Sequence, residues 1–411
     1  MNNYDLTEML PSLLSGDTLI ERLKDIPEYD ENIRNEDTAT RLMQSADIYK
    51  IYYPSVMSVE IYNKLYLATA MSLRKKGTKL AVMQKNANFK AMKNHAEYRG
   101  IIGGSDSFTI VGTSGIGKSS AIQRAVELIM SNGVLEYADS KIIPCIQVQC
   151  PFDASSKGML LSVLKAVDDA IETEYYEKSL RPGVTTDVLI GTVSQVCINH
   201  VGLLIIDEIQ HVYGHKNGVT LVSLITQLIN TSGISICMVG TEESIAFFEK
   251  APQLARRALG LKYGVMPYDD YFKDFCRLVF SYQYTKKKTE LTELLIQWLY
   301  EHSGGVISVV VAIVHEANEL AIFQGEEHIS LEILTEAYDK RITMLHSFIA
   351  SDSDTDKRVC RQYKKEIPVS DVADVQEYTT IPDIIKKAKN KSVDIIEYLK
   401  DYIHVEEVVA E

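Results

Sequence analysis

Residues 112–119 read Gly-Thr-Ser-Gly-Ile-Gly-Lys-Ser, a complete GxxxxGK[ST] phosphate loop. An apolar, strand-like run precedes it, Phe108-Thr109-Ile110-Val111, and a helical stripe of Ile122, Ala125, Val126 and Ile129 follows. Phosphate chemistry needs this order of strand, loop and helix. Gly112, Gly115 and Gly117 let the chain turn tightly and bring backbone N–H groups close to phosphate oxygens. The helix N-terminus adds positive dipole. Thr113, Ser114 and Ile116 complete the loop, and Ser120 carries it into the helix. Lys118 supplies a mobile cation for the β- and γ-phosphates, and the Ser119 hydroxyl can ligate Mg²⁺. The expected ligands are ATP and Mg²⁺.

Further along, Leu203-Leu204-Ile205-Ile206-Asp207-Glu208 is an apolar run that ends in two carboxylates. A strand buried on both faces of a parallel sheet reads this way. Asp207 then falls at the C-terminal end of its strand, where α/β sheets bind ligands. It can hold Mg²⁺ through the ion's water shell, while Glu208 can polarise an attacking water.

At 411 residues the chain has room for more than one domain. Its apolar fraction of 46% suits a globular protein, and the apolar stretch Val306–Val314 is too short to span a bilayer. With no signal-like N-terminus and six cysteines without a CxxC pair, the expectation is a cytoplasmic protein with free thiols and no membrane contact. The net charge of −13 argues against indiscriminate affinity for nucleic acid. Charge is nonetheless uneven. No acidic residue lies between Glu60 and Glu97, an interval holding Lys64, Arg74, Lys75, Lys76, Lys79, Lys85, Lys90 and Lys93. That block is either a solvated helix face or a surface for phosphates or an acidic partner.

Patterning divides the chain into a helical, basic N-terminal extension (1–95), an α/β nucleotide-binding core (96–267), a small all-helical lid (268–346) and a charged C-terminal tail (347–411). Strand candidates at Phe108–Val111, Lys141–Cys150, Leu203–Asp207, Ile234–Val239 and Leu261–Met266 give a parallel five-stranded sheet. An extra helical element occupies residues 156–195. An α/β core followed by a helical bundle is the architecture of an AAA+ P-loop NTPase.

Three stretches extend this to a family. Ser107–Ser120, the run Ile206-Asp207-Glu208-Ile209-Gln210-His211, and Val239-Gly240-Thr241-Glu242 followed by Ala255-Arg256-Arg257 resemble the TnsC and TniB regulators of Tn7-like transposons. The resemblance implies an ATPase that forms a homo-oligomeric ring or filament on duplex target DNA. There it links a target-selection protein to the transposase, and hydrolysis controls assembly and disassembly. It also implies that Thr241 is a sensor orienting the water, that Arg256 or Arg257 is a finger reaching the neighbour's nucleotide, and that Lys157 and Arg181 contact DNA. One departure stands out: Ser303-Gly304-Gly305-Val306-Ile307-Ser308 lacks the arginine that many AAA+ lids carry there, so coupling between ATP and lid in cis is expected to be weak. The alternatives are another AAA+ ATPase, such as a helicase loader or a secretion-associated ATPase, and a small-substrate phosphoryl-transfer enzyme.

Overall fold

The structure, a computed structural model, describes residues 6–76, 107–137, 140–212, 218–245 and 260–342. All of them fall within one compact unit, Met1–Asp354. Helices α1 (Gly16–Leu23), α2 (Thr38–Ser45) and α3 (Val56–Lys76) come first. Strand β1 (Phe108–Gly112) leads through the phosphate loop into α4 (Lys118–Ile129), then β2 (Leu135–Tyr137) and β3 (Ser140–Gln149). Helices α5 (Ser156–Ile171), α6 (Tyr175–Ser179) and α7 (Thr186–His200) intervene before β4 (Val201–Asp207). After α8 (Gly218–Ser232) come β5 (Ser235–Gly240) and β6 (Leu261–Tyr263). Helices α9 (Asp270–Ser281), α10 (Glu293–Ser303), α11 (Ile307–Gln324) and α12 (Leu331–Ala337) close the described chain.

The sheet order is β2-β3-β4-β5-β1-β6. Every pairing is parallel except β2 with β3. This is a mostly parallel sheet, as the sequence leads one to expect, with one correction: among the described residues it has six strands, not five. The additional strand, β2, has three residues, too few to show an alternation of their own, and it forms by antiparallel pairing along the edge of β3.

Both faces of the sheet are covered. Ile146, Val148, Leu204, Ile206, Ile236 and Met238 pack against α5, α7 and α8 on one side. Ile110, Cys145, Leu203, Ile205, Cys237 and Val239 pack against α1, α3 and α4 on the other. The N-terminal helices therefore supply part of a layer that the core itself requires. Ile61, Leu65 and Leu73 of α3 are completely buried there, each stabilising the fold by about 1.5–3 kcal/mol. Polar contacts fix the register of α3. Ser72 Oγ donates to the Gly202 carbonyl at 2.6 Å, and Lys76 Nζ reaches the Cys197 and Ile198 carbonyls at 2.9 and 2.6 Å. A cation over the last carbonyls of α7 suits the negative end of that helix.

Ser155 accepts from the Gly158 N–H at 3.2 Å and so caps α5. Arg181-Pro182-Gly183 forms the turn ahead of α7. In the lid, α11 is the one described helix long and apolar enough, by length and composition, to cross a membrane. The stretch expected to stop at Val314 thus continues as helix to Gln324. Its apolar character serves packing: Val310, Ile313, Val314, Ala317 and Ala321 are fully buried in the lid core. The five described cysteines are free and buried.

The N-terminal region also joins the lid. Ile48 and Ile51 belong to the lid's apolar core. Arg41 of α2 is 1% exposed. It donates to the Tyr284 carbonyl at 2.9 Å and grips both Glu327 carboxylate oxygens, at 2.7 and 2.9 Å. Bidentate geometry makes this a strong charge-assisted pair. Hydrogen bonding from Arg41 holds the Glu327 carboxyl below the usual glutamate value. Arg41→Met removes the bidentate partner, leaves Glu327 only the Lys286 N–H at 3.1 Å and the Lys286 ammonium at 4.0 Å, and is expected to destabilise the protein by about 3 kcal/mol at neutral pH. A depressed native value gives a contribution that is complete above the ordinary glutamate value of 4.5 and is lost as the pH falls through the native one. Urea unfolding of both proteins at pH 7 and again below pH 4.5 checks this: the gap between them should shrink in acid.

Candidate nucleotide site

The C-terminal ends of β1, β4 and β5 lie side by side, because β1 is flanked by β5 and β5 by β4. The chain leaves β1 and next joins the parallel strands at β3, beyond both β5 and β4, so the crevice at these ends is a switch point. A cavity of about 250 Å³ sits there, lined by the phosphate loop, Asp207, Glu208, Gln210, Gly240, Thr241 and Ser308.

The loop's shape depends on Gly115. Its φ is +80°, and a Cβ there would lie 2.3 Å from Ser308 Oγ. The Ser308 N–H donates to the Gly115 carbonyl at 3.1 Å, so the first turn of α11 rests on the loop. Ser114, Gly115, Gly117, Lys118, Ser119 and Ser120 line the cavity. The other expected loop residues support it from behind. Ile116 is buried in the apolar core between the sheet and α4. Gly112 packs against the Tyr263 carbonyl of β6, to which the Thr113 N–H donates at 3.3 Å.

Lys118 is 9% exposed, and its Nζ donates to the Gly112 and Thr113 carbonyls at 2.7 Å each. Burial pushes its ammonium below the usual lysine value, and the carboxylates of Asp207, Glu208 and Glu242 pull the other way. A cation held this way by two neutral carbonyls, beside the loop residues Ser114, Gly115, Gly117, Ser119 and Ser120, suits a polyanion.

Asp207, 5% exposed, accepts the Glu208 N–H on Oδ1 at 2.8 Å and the Gln147 amide on Oδ2 at 3.3 Å. Glu208 has φ +59°, an uncommon value for a residue with a side chain, and it turns the chain out of β4. Gln210 donates from Nε2 to Glu208 Oε2, and its Oε1 accepts from the Thr241 N–H at 3.2 Å. The Thr241 hydroxyl is buried without a hydrogen-bond partner. A buried, unpaired hydroxyl costs about 1–3 kcal/mol, and a phosphate oxygen or a water in this cavity would satisfy it. The donor set fits a nucleotide with Mg²⁺, for which Ser119 and Asp207 would offer the oxygen ligands.

The remaining expected residues are not brought to this cavity. Lys157 is exposed on the first turn of α5, and Arg181 is exposed between α6 and α7. Arg256, Arg257 and, within the basic block, Lys79, Lys85, Lys90 and Lys93 lie outside the described residues, as do the whole of the tail and Cys360. Among the described basic residues Lys64 and Arg74 are exposed, whereas Lys76 is engaged with α7. Sequence reasoning missed Gln147, Gln210 and Ser308. Gln210 stands two residues from Glu208, yet an amide carries no signal of its own. Ser308 reaches the loop only because the lid folds back.

The model of the family described as bacterial TniB protein matches residues 86–261. No curated protein matches the chain. Among solved structures, the chain is similar to the Aeropyrum pernix ORC1 protein in complex with DNA, at 15% identity and a TM-score of 0.43, covering 79% of this chain and 78% of that one. It is similar to the Thermotoga maritima RuvB Holliday junction branch migration motor, at 12% identity and a TM-score of 0.33, covering 78% and 86%. It is also similar to domain III of the Thermotoga maritima replication initiation protein DnaA, at 14% identity and a TM-score of 0.34, covering 64% and 92%. The match to the TniB family model bears out, over residues 86–261, the resemblance to the TnsC and TniB regulators.

Proposed function

We propose that this chain is an ATP-dependent regulator of DNA transposition. In this reading it assembles as a homo-oligomer on duplex target DNA and links a target-selection protein to the transposase. ATP hydrolysis then controls assembly and disassembly. The observation that carries the proposal is the meeting of Lys118, Asp207, Glu208 and the unpartnered Thr241 hydroxyl around one cavity in a TniB-type core.

The roles follow from the chemistry of each group. The loop N–H groups and Lys118 bind and orient the phosphates. Bound Mg²⁺ would neutralise charge that develops on the phosphate oxygens. Ser119 and Asp207 would hold it. Glu208 takes the proton of the attacking water, and Thr241 orients that water through its hydroxyl. Arg256 or Arg257 acts in trans on a neighbour's nucleotide, a role suited to a planar guanidinium. Lys157 and Arg181, exposed on the element between β3 and β4, contact phosphates of the duplex. Repetition around an assembly multiplies a modest local charge, despite the net charge of −13.

Lys118→Ala should abolish ATP binding, because the cation pairs with ground-state phosphates. Glu208→Gln should bind ATP with wild-type affinity and lose turnover by about 10²-fold or more. Equilibrium binding of a fluorescent ATP analogue beside a phosphate-release assay separates the two. Wild-type turnover in Glu208→Gln would remove Glu208 from the chemistry.

ATPase rate per subunit should rise with protein concentration and with added duplex. The double substitution Arg256→Ala, Arg257→Ala should abolish that rise while monomer affinity for ATP stays intact. A rate per subunit that is flat across the concentration range would defeat the trans arrangement.

Duplex binding should require ATP, tolerate any sequence and weaken steeply with salt. Lys157→Ala and Arg181→Ala should reduce it without altering ATP affinity. If fluorescence anisotropy shows loss only on replacing Arg74, Lys75, Lys76 and Lys79, the N-terminal block is the contact surface instead. ATP-independent binding, or none, would favour another AAA+ scaffold such as a helicase loader.

A further inference from the structure

Glu208 and Thr241 stand at the ends of neighbouring strands, β4 and β5, and one side chain touches both. Gln210 Nε2 donates to the Glu208 carboxylate, and Gln210 Oε1 accepts from the Thr241 backbone N–H at 3.2 Å. Only one orientation of the amide serves both partners. A carboxylate can only accept and a backbone N–H can only donate, so the NH₂ must face Glu208 and the oxygen must face Thr241.

The surroundings are built to bring Gln210 this close. Ile209, the next residue back, is completely buried against the sheet. It anchors the single turn Ile209–Val212 that carries Gln210. Opposite it, a Cβ on Gly240 would lie 2.7 Å from Ile209 Cγ2 and 3.1 Å from Gln210 Oε1. Any residue but glycine at the end of β5 would push the turn away. Among the described residues the hydrogen bond to the Glu208 carboxylate comes from Gln210, while Lys118 acts on it through charge.

We infer that Gln210 is a positioning residue, a bridge that holds the Glu208 carboxylate in register with Thr241 at the end of β5. It touches no reacting atom. It fixes the direction of the group that takes the proton relative to the hydroxyl that orients the water. Its catalytic consequence rests on the ATPase reading proposed above, whereas the bridge itself is a matter of hydrogen bonding.

Two variants of the full-length chain dissect the bridge. Gln210→Ala removes both contacts. Gln210→Glu keeps an acceptor for the Thr241 N–H but has no N–H to offer Glu208. Hydrogen exchange at the Thr241 amide should accelerate about tenfold or more in Gln210→Ala and stay near wild type in Gln210→Glu. In both variants kcat should fall about 10–100-fold, the usual cost of removing a group that orients another, while affinity for a fluorescent ATP analogue stays within about twofold. Unchanged exchange at Thr241 in Gln210→Ala would overturn the bridge. A wild-type kcat in Gln210→Glu would overturn its role in aiming Glu208. If the wild-type protein binds ATP but never turns it over, the ATPase reading fails, and the exchange measurement still decides whether the bridge exists.

Discussion

Strand β4 has no exposed residue, and the rest of the molecule follows from that constraint. A strand buried on both faces needs a layer of helices on each. The segment after β3 provides one layer, through α5 and α7, and α8 joins it. Helix α4 cannot cover the other face by itself, so α1 and α3 complete it from the N-terminal side. Burial also sets the chemistry. Backbone groups within β4 are used up by pairing with β3 and β5, and the first place where charge can stand is the strand's end. Asp207 and Glu208 occupy that place and line the same cavity as Lys118.

The same economy explains the lid. No arginine occupies Ser303–Ser308, yet the lid still meets the phosphate loop, through the Ser308 N–H on the Gly115 carbonyl. A backbone contact of this kind is short and directional but carries no full charge. Lid position is instead secured from behind. Arg41 binds Glu327 and the Tyr284 carbonyl, and Ile48 and Ile51 enter the lid's apolar core. The N-terminal region thus touches both the face of the sheet and the lid, which gives the two a common brace.

Much of this was legible from residue order alone. The phosphate loop, the acidic end of β4 and the strand-helix alternation are local patterns, in which neighbours in sequence are neighbours in space. Apolar runs such as Leu203–Ile206 reveal double burial directly, and the helical stripe after Ser119 reveals α4. The strand β2 was not legible, since three residues pair only because β3 offers an open edge. Nor was the role of the N-terminal helices as half of a core layer, because α3 meets β4 across more than a hundred residues of sequence, as in Ser72 against Gly202.

Sequence by itself determined the identity of the charged and hydroxyl groups and the order of the parallel strands and the helices between them, because those are set by composition and period. Only the tertiary structure decided which polar groups meet. Gln210 joins Glu208 to Thr241, and Ser308 reaches Gly115 from nearly two hundred residues away. Such contacts depend on how parallel strand ends line up and how the lid folds back, and an amide or a serine looks the same in sequence whether it bridges a site or faces water.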